Sequence, residues 1–268
     1  MHRPLLRGEQ DPLPGRLGQL GADGAGAPLG GRPRGGLEVI GPGCFWECPL
    51  REARVPASVR LIDNGAFHGC RELRVLSFAP DSRLEVIGAD AFAWTVLEEF
   101  TAPTWLRTLS QEAFFGCGQL RRVLLNEGLE TLGTGEENRF GERRCGAFQD
   151  SGVAEVLLPA SLRKIGYCAF KGCAELKQIA LPEGLRVIGE EAFARSGLEQ
   201  VALPRSLREV REAAFYRCAV LSAVAVADGC ALEEVWAQAF AGTGLEERPR
   251  LPAETCVAED AFESSEDE

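Results

Sequence analysis

The sequence predicts an α/β repeat solenoid, mostly β, with a parallel sheet on one face and short strands or helical turns on the opposite face. Two observations predict it. An Ala-Phe pair, Cys-Phe at its first occurrence, recurs along the chain. Two apolar patterns accompany it at a nearly constant spacing in sequence. A unit repeated in this way can bury its apolar face only against its neighbours. The repeated phenylalanines are Phe45, Phe67, Phe92, Phe114, Phe148, Phe170, Phe193, Phe215, Phe240 and Phe262.

The spacing of these phenylalanines divides the chain. Successive spacings are 22, 25, 22, 34, 22, 23, 22, 25 and 22 residues. The longest predicts a surface insertion near residues 133–144 in an otherwise regular solenoid of about nine or ten coils at residues 37–262. Residues 1–36 are a Gly/Pro/Arg-rich arm, which we expect to be disordered, and residues 263–268 are an acidic tail.

Within one repeat, alternation predicts the strand. Ile179 and Leu181 have the period of two of a half-buried strand, and Pro182 ends it because proline has no N–H for the ladder. The residues that lead to Phe193 suit a single helical turn. The corresponding strand pairs are Ala53/Val55, Leu76/Phe78, Phe100/Ala102, Val123/Leu125, Val156/Leu158, Ile179/Leu181, Val201/Leu203 and Val224/Val226.

A second apolar pair precedes each Ala-Phe pair. Its members stand three residues apart, which predicts a further inward-facing segment in each coil. These pairs are Leu37/Ile40, Val59/Ile62, Leu84/Ile87, Leu106/Leu109, Leu129/Leu132, Leu162/Ile165, Leu185/Ile188, Leu207/Val210 and Leu232/Val235.

Two stretches resemble a known family. Residues 158–193 read LPASLRKIGYCAFKGCAELKQIALPEGLRVIGEEAF, and residues 78–92 read FAPDSRLEVIGADAF. Both resemble the BspA-type leucine-rich repeat, named for a bacterial surface protein. The resemblance implies a leucine-rich repeat solenoid that binds proteins. The family includes adhesins and surface antigens that bind host matrix proteins, and also intracellular proteins.

Two functions therefore stay open. The first is a non-catalytic protein–protein interaction scaffold that binds a protein partner of unknown identity through the sheet face. The alternative is a surface-attached or secreted adhesin of the BspA type whose targeting segment is missing from this sequence. An apolar signal upstream of Met1 would favour the adhesin.

Charge and hydropathy restrict the class of partner that the protein can bind and its location in the cell. The net charge of −11 and the pI of 4.9 argue against nucleic acid or an anionic membrane as the partner. No run reaches the roughly 20 apolar residues of a membrane span, and residues 1–10 do not resemble a secretory signal. We expect a monomer without membrane insertion and favour a cytoplasmic location.

The ten cysteines favour reduced thiols over a disulfide framework or a zinc site. Equivalent residues in alternate coils lie about 10 Å apart, beyond the reach of a disulfide, so only Cys48 and Cys70 can approach each other. Small thiols that fill the turn are the simplest interpretation, and reduced thiols fit the cytosol. The cysteines that follow a repeat phenylalanine by three residues are Cys48, Cys70, Cys117, Cys173 and Cys218.

Neither catalysis nor cofactor binding is predicted. His2 lies in the arm, and His68 occupies a variable position after Phe67, where we expect a solvated loop histidine rather than a general base. Cys44 and Cys48 have no histidine or second cysteine pair at metal-site spacing. We therefore expect no catalytic residue, cofactor or metal.

Outward-facing positions of the strands supply the candidate binding residues. Leu124 and Leu157 belong to adjacent coils, so we expect them side by side on the sheet face, with Arg122 and Glu155 as flanking charges. An apolar centre with charged neighbours is typical of an interface hot spot, although two exposed leucines without any role are the alternative. The candidate partner-binding residues are Arg122, Leu124, Glu155 and Leu157.

Overall fold

The computed structural model describes residues 36–133 and 145–263, and these form a stack of coils made of short parallel strands and turns. They contain no helix, and so none with the length and apolarity that a membrane span requires. The chain divides into units Met1–Arg32 and Pro33–Glu268. The predicted arm up to residue 35, the insertion at residues 134–144 and residues 264–268 of the tail lie outside the described residues.

The strands described are, in chain order, β1 (Val39–Ile40), β2 (Glu52–Val55), β3 (Leu61–Ile62), β4 (Val75–Phe78), β5 (Val86–Ile87), β6 (Glu99–Thr101), β7 (Thr108–Leu109), β8 (Arg122–Leu124), β9 (Thr131–Leu132), β10 (Glu155–Leu157), β11 (Lys164–Ile165), β12 (Val187–Ile188), β13 (Gln200–Leu203), β14 (Glu209–Val210), β15 (Ala223–Val226), β16 (Glu234–Val235) and β17 (Cys256–Val257).

The second apolar segment of each coil forms a two-residue strand, and these strands build one continuous parallel sheet. Its ten strands follow the order β1-β3-β5-β7-β9-β11-β12-β14-β16-β17. Neighbours pair in the same register, as Ile165 does with Ile188 and Ile188 with Val210. The second residue of each strand is buried except in β17, where both residues are exposed. The predicted inward-facing segment is thus confirmed, and it holds the coils together.

The first apolar segment forms the longer strands of the sheet face, and this sheet is interrupted. It consists of β2 with β4, of β6, β8 and β10, and of β13 with β15. The strand predicted at Ile179 and Leu181 is wrong, because residues 176–182 form no strand. Ile179 is nevertheless buried. Alternate side chains are buried whenever they point inward. A strand ladder also requires that the backbones of both neighbouring coils lie at hydrogen-bonding distance.

The repeat phenylalanines form the core as one ladder of stacked rings. Centroids of successive rings are 4.9 to 5.5 Å apart, and the planes differ by 13° at most. All are buried except Phe262 in the last described coil, which is half-buried and has the Arg248 guanidinium 5.1 Å from its ring centroid. The predicted phenylalanine core is confirmed.

The turns that carry the rings are β-turns rather than the predicted helical turn. Ala192 N–H donates to the Gly189 carbonyl at 3.2 Å, and Glu191 between them has a φ of +52°. A left-handed third residue is the mark of a type II turn. Phe193 N–H donates instead to the Ala214 carbonyl of the next coil, at 2.8 Å. The turns therefore direct N–H groups between coils, which a helical turn would use internally.

Candidate functional site

The predicted binding residues lie on β8 and β10, which pair in the sheet although 33 residues separate Arg122 from Glu155 in sequence. The register sets Arg122 opposite Glu155 and Leu124 opposite Leu157. Val123, between the two outward positions of β8, is fully buried. Side chains alternate across a strand, so the flanking residues face outward. The structure brings all four residues together.

The two leucines form a continuous apolar step on this face. Leu157 is 60% exposed and Leu124 is half-buried. Facing residues of neighbouring strands are about 4.8 Å apart, so a partner can cover both leucines with one side chain. Complete burial of a leucine contributes about 1.5–3 kcal/mol relative to full exposure, so covering Leu157 would supply much of that energy.

The charges beside the leucines form an ion pair. Arg122 Nε donates to Glu155 Oε2 at 2.9 Å, and the two side chains are 53% and 68% exposed. Such a solvated pair contributes about 0–1 kcal/mol to folding. Its main effect is to fix the positions of one positive and one negative group at the edge of the apolar step, where a partner can be selected by complementary charge.

An open groove of about 580 Å³ lies beside this ion pair. It includes Val75, which is 49% exposed and belongs to the same outward column as Arg122. Alternation along β4 directs Val75 outward, but only the packing shows that its neighbours leave it uncovered. The lining residues are Arg74, Val75, Leu76, Glu98, Glu99, Arg121, Arg122, Ala154 and Glu155.

A second groove of about 760 Å³ continues toward the C-terminal coils. Alanine and glutamine dominate its lining, and it includes Ile179 from the segment that forms no strand. Both grooves share Ala154 and Glu155. Of the candidate residues, Arg122 and Glu155 line the mixed-charge groove and Glu155 also lines the second groove, whereas Leu124 and Leu157 line neither.

His68 packs in the turn, so the prediction of a solvated loop histidine is wrong. Its side chain is 20% exposed and its ring stacks on Trp46 with centroids 4.1 Å apart. Burial lowers the pKa of His68, and the charges of Glu47 and Glu112 oppose that shift. Nδ1 lies 4.0 Å from the Asp90 carboxylate. The packing against Trp46 makes His68 part of the turn structure.

The cysteines of the turn are free thiols. Burial raises the pKa of Cys117 to about 11 and that of Cys173 to about 12, which suppresses the nucleophilic thiolate. In the part of the chain that the structure describes, no three His, Cys, Asp or Glu residues are grouped as a metal site. The prediction of small thiols buried in the turn is confirmed for Cys70, Cys117, Cys173 and Cys218.

Comparison with known proteins identifies the repeat. The family model described as BspA type Leucine rich repeat region matches residues 38–136 and 143–267 with six copies. No curated protein matches the sequence. Among solved structures, a leucine-rich repeat protein from Bacteroides ovatus has 21% identity and a TM-score of 0.51, over 85% of this chain and 80% of that one. It has the same fold.

Two further structures resemble the chain over a smaller share of their own length. The pneumococcal vaccine antigen PcpA is 20% identical with a TM-score of 0.40, over 80% of this chain and 60% of its own. A leucine rich cell surface protein from Faecalibacterium prausnitzii is 19% identical with a TM-score of 0.40, over 69% of this chain and 62% of its own.

These comparisons correct the favoured location. The preference for the cytoplasm is contradicted, because the repeat that the family model matches is the BspA type, which is named for a bacterial surface protein. Reduced thiols and the composition of residues 1–10 do not by themselves specify a cytoplasmic location. The family match covers more than half of the residues. The chain belongs to the BspA-type leucine-rich repeat family.

Proposed function

We propose that the chain is a non-catalytic protein-binding module that captures a protein partner on the sheet face. Leu124 and Leu157 are the apolar centre of the contact, and Arg122 and Glu155 select the partner by charge. The observation that carries the proposal is the pairing of β8 with β10, which sets a 60% exposed Leu157 beside Leu124 on the strands whose Arg122–Glu155 ion pair lines the first groove.

The chemistry of these residues supports binding rather than catalysis. Two aliphatic side chains and a solvated ion pair supply contact area and charge, but no nucleophile or acid–base pair. Hot spots of interfaces are buried apolar anchors surrounded by a polar rim. The sheet face has this arrangement before a partner arrives, and the hydrogen-bonded ladder of β6, β8 and β10 fixes it.

A capture experiment with the full chain tests the proposal. Partners are first identified by proximity labelling in cells that produce the protein, and their affinity is then measured for purified variants. Leu124→Asp combined with Leu157→Asp is expected to weaken capture at least about thirty-fold, equivalent to losing a hot spot of about 2 kcal/mol. The melting temperature should change little, because Leu157 is exposed and Leu124 is half-buried.

Two controls separate position from charge. Ala202→Asp with Ala225→Asp places the same charges in register on β13 and β15, where both alanines are exposed. Both alanines line the second groove, but they lie on strands that do not pair with β8 or β10, so this control should retain most of the binding. Exchanging Arg122 and Glu155 keeps an ion pair and reverses its direction, so it should weaken binding without changing the melting temperature. Normal binding by the double leucine variant would refute the sheet-face proposal.

The family supports a second candidate function, a surface-attached or secreted adhesin. In that case the partner is extracellular and the protein is exposed on the cells that produce it. Antibody labelling of intact cells, compared with permeabilised cells of the source organism, decides between them. Labelling only after permeabilisation would exclude the adhesin and leave the binding-module proposal standing.

A further inference from the structure

The position three residues after each repeat phenylalanine carries a thiol or a hydroxyl in the first nine coils. From the third coil onward a hydroxyl residue alternates with a cysteine. The first two coils break this alternation, because both carry cysteine. In chain order these residues are Cys48, Cys70, Thr95, Cys117, Ser151, Cys173, Ser196, Cys218 and Thr243.

In the regular pairs the two side chains touch. Thr95 Oγ1 lies 3.3 Å from Cys117 Sγ. Both groups donate to the Phe92 carbonyl, at 2.9 and 3.1 Å respectively. Ser151 Oγ and Cys173 Sγ are 3.5 Å apart. The turn therefore places side-chain atoms of consecutive coils in van der Waals contact at this position.

Cys48 and Cys70 share the hydrogen bonding of the regular pairs. Cys70 Sγ donates to the Phe45 carbonyl at 2.9 Å. Cys48 N–H donates to the same carbonyl oxygen at 3.0 Å. Cys48 thus occupies the position of a threonine or serine in the regular pairs, and the equivalent position of the next coil is a cysteine.

The backbones of these two coils are close enough for a disulfide. Beside the cysteines, Glu47 N–H donates to the His68 carbonyl at 2.8 Å. The rings of Phe45 and Phe67 are 4.9 Å apart, the shortest step in the ladder. Disulfides form between Cα atoms about 4.4–6.8 Å apart, a range that includes the spacing of about 4.8 Å between paired strands.

We propose that Cys48 and Cys70 are a disulfide site that fastens the first coil to the second when the protein meets a small-molecule disulfide such as oxidised glutathione. The half-buried Cys48 is the thiol that the reagent reaches. Its thiolate attacks one sulfur of the reagent, and one glutathione leaves as a thiolate. Cys70 loses its proton to water and attacks the Cys48 sulfur, which releases the second glutathione. Two protein thiols are oxidised and one disulfide is reduced, so electrons and protons balance.

The fold accommodates this bond at small cost. The Phe45 carbonyl loses the Cys70 S–H but keeps the Cys48 N–H at 3.0 Å, so it stays paired. Burial raises the pKa of Cys70 to about 11, so the second step speeds up as pH rises. The structure describes all ten cysteines, and no other two occupy equivalent positions in adjacent coils. One bridge is expected.

The bond would act where a solenoid is weakest. Among the described residues the first coil has a neighbouring coil on one side, and a coil with fewer neighbours opens more readily than one packed on both sides. Fastening Cys48 to Cys70 closes a loop of about 22 residues and restricts that opening. An oxidising environment would therefore strengthen the N-terminal end of the stack.

The test uses the reduced full chain, exposed to oxidised glutathione at mildly alkaline pH, alkylated and analysed by mass spectrometry. The expected product has two fewer alkylated thiols and a linked peptide pair that contains Cys48 and Cys70. Amide exchange at residues 45–70 should slow at least about ten-fold, and dithiothreitol should reverse the change.

Two variants control for geometry. Cys48→Thr recreates the pair seen at Thr95 and Cys117, so it should form no bridge while folding normally. Thr95→Cys creates a thiol pair with Cys117, two coils further along, where the side chains at positions 95 and 117 already touch. Cys70 Sγ lies instead on the Phe45 carbonyl of the first coil, so the new cysteine should form a second bridge with Cys117 rather than with Cys70. A lasting mixed disulfide on Cys48, or a bridge from Cys48 to another cysteine such as Cys44, would overturn the proposal whatever happens at position 95.

Discussion

Removing one ring from the middle of the phenylalanine ladder measures how far each coil depends on its neighbours. Phe170 is fully buried, and its ring centroid is 5.5 Å from those of Phe148 and Phe193. Phe170→Ala removes the ring and leaves the backbone turn unchanged. The change therefore isolates side-chain packing in a coil that has a partner on both sides.

The magnitude follows from what the ring contacts. Burial of the side chain contributes about 1.5–3 kcal/mol, and each stacked neighbour adds about 0.5–1.5 kcal/mol. The adjacent coils cannot close the gap, because backbone bonds such as Phe170 N–H to the Ala192 carbonyl, at 2.7 Å, fix their spacing. A cavity remains and adds to the loss. We expect the free energy of unfolding to fall by about 3–5 kcal/mol.

Denaturant titration combined with hydrogen exchange measures this effect, and Phe262→Ala is the matched control. Phe262 is half-buried, and among the described residues its ring stacks on that of Phe240 at 5.2 Å and has the Arg248 guanidinium at 5.1 Å. Its replacement should cost about 1–2 kcal/mol, since one stacked pair and part of the burial are lost. In the Phe170 variant, faster exchange should centre on the mutated coil and its two neighbours.

Two results would refute this reasoning. A loss below about 1 kcal/mol for Phe170→Ala would show that the rings do not form the core, because a cavity of this size must cost more. Equal losses for Phe170 and Phe262 would show that stacking on both sides contributes nothing. Uniformly faster exchange along the whole solenoid would contradict coupling between neighbouring coils only.

Three further predictions rest on single side chains. Cys117 and Cys173 should resist alkylation at pH 8 until the protein unfolds. The contribution of the neutral Cys117 thiol to the free energy of unfolding is complete below its ordinary pKa of 9.0 and is lost as pH rises toward about 11, so the melting temperature should fall over that window. The pKa of His68, measured by NMR, should lie below its ordinary value of 6.5. As pH drops, His68 of the unfolded chain is protonated before His68 of the folded chain, so the free energy of unfolding should fall below pH 6.5. Gly172→Ala should destabilise the fold by about 1–2 kcal/mol in thermal or chemical unfolding, because Gly172 has a φ of +71°, a backbone conformation that costs an alanine free energy.

The candidate site could be located from the sequence because a solenoid converts sequence spacing into spatial position. Once the phenylalanines set the coil boundaries, alternation places Leu124 and Leu157 on the outward face of adjacent strands. The pairing of β8 with β10 places them as expected despite the long insertion between them. The two grooves that share Ala154 and Glu155 were not predictable, because they depend on how far each side chain covers the side chain beside it.

His68 and Cys48 show the same limit at single positions. The spacing assigned both to the turn after the phenylalanine, and both are there. Whether His68 is solvated depends on Trp46 in the preceding coil, whose ring covers it. Whether Cys48 meets a thiol or a hydroxyl depends on the residue stacked against it. Contacts between coils decide both cases, and the residue alone does not specify them.

The sequence by itself determined the repeat, its family, the phenylalanine core and the outward columns, because these depend on the period and on the direction of side chains. Only the tertiary structure decided which backbone groups bond. The continuous ladder of hydrogen bonds runs through the two-residue strands, and the sheet face is interrupted at Ile179. Residues such as Glu191 have the left-handed backbone conformation. Hydrogen bonds need donors and acceptors of adjacent coils within about 3 Å, and that distance is set by the packing of the whole stack.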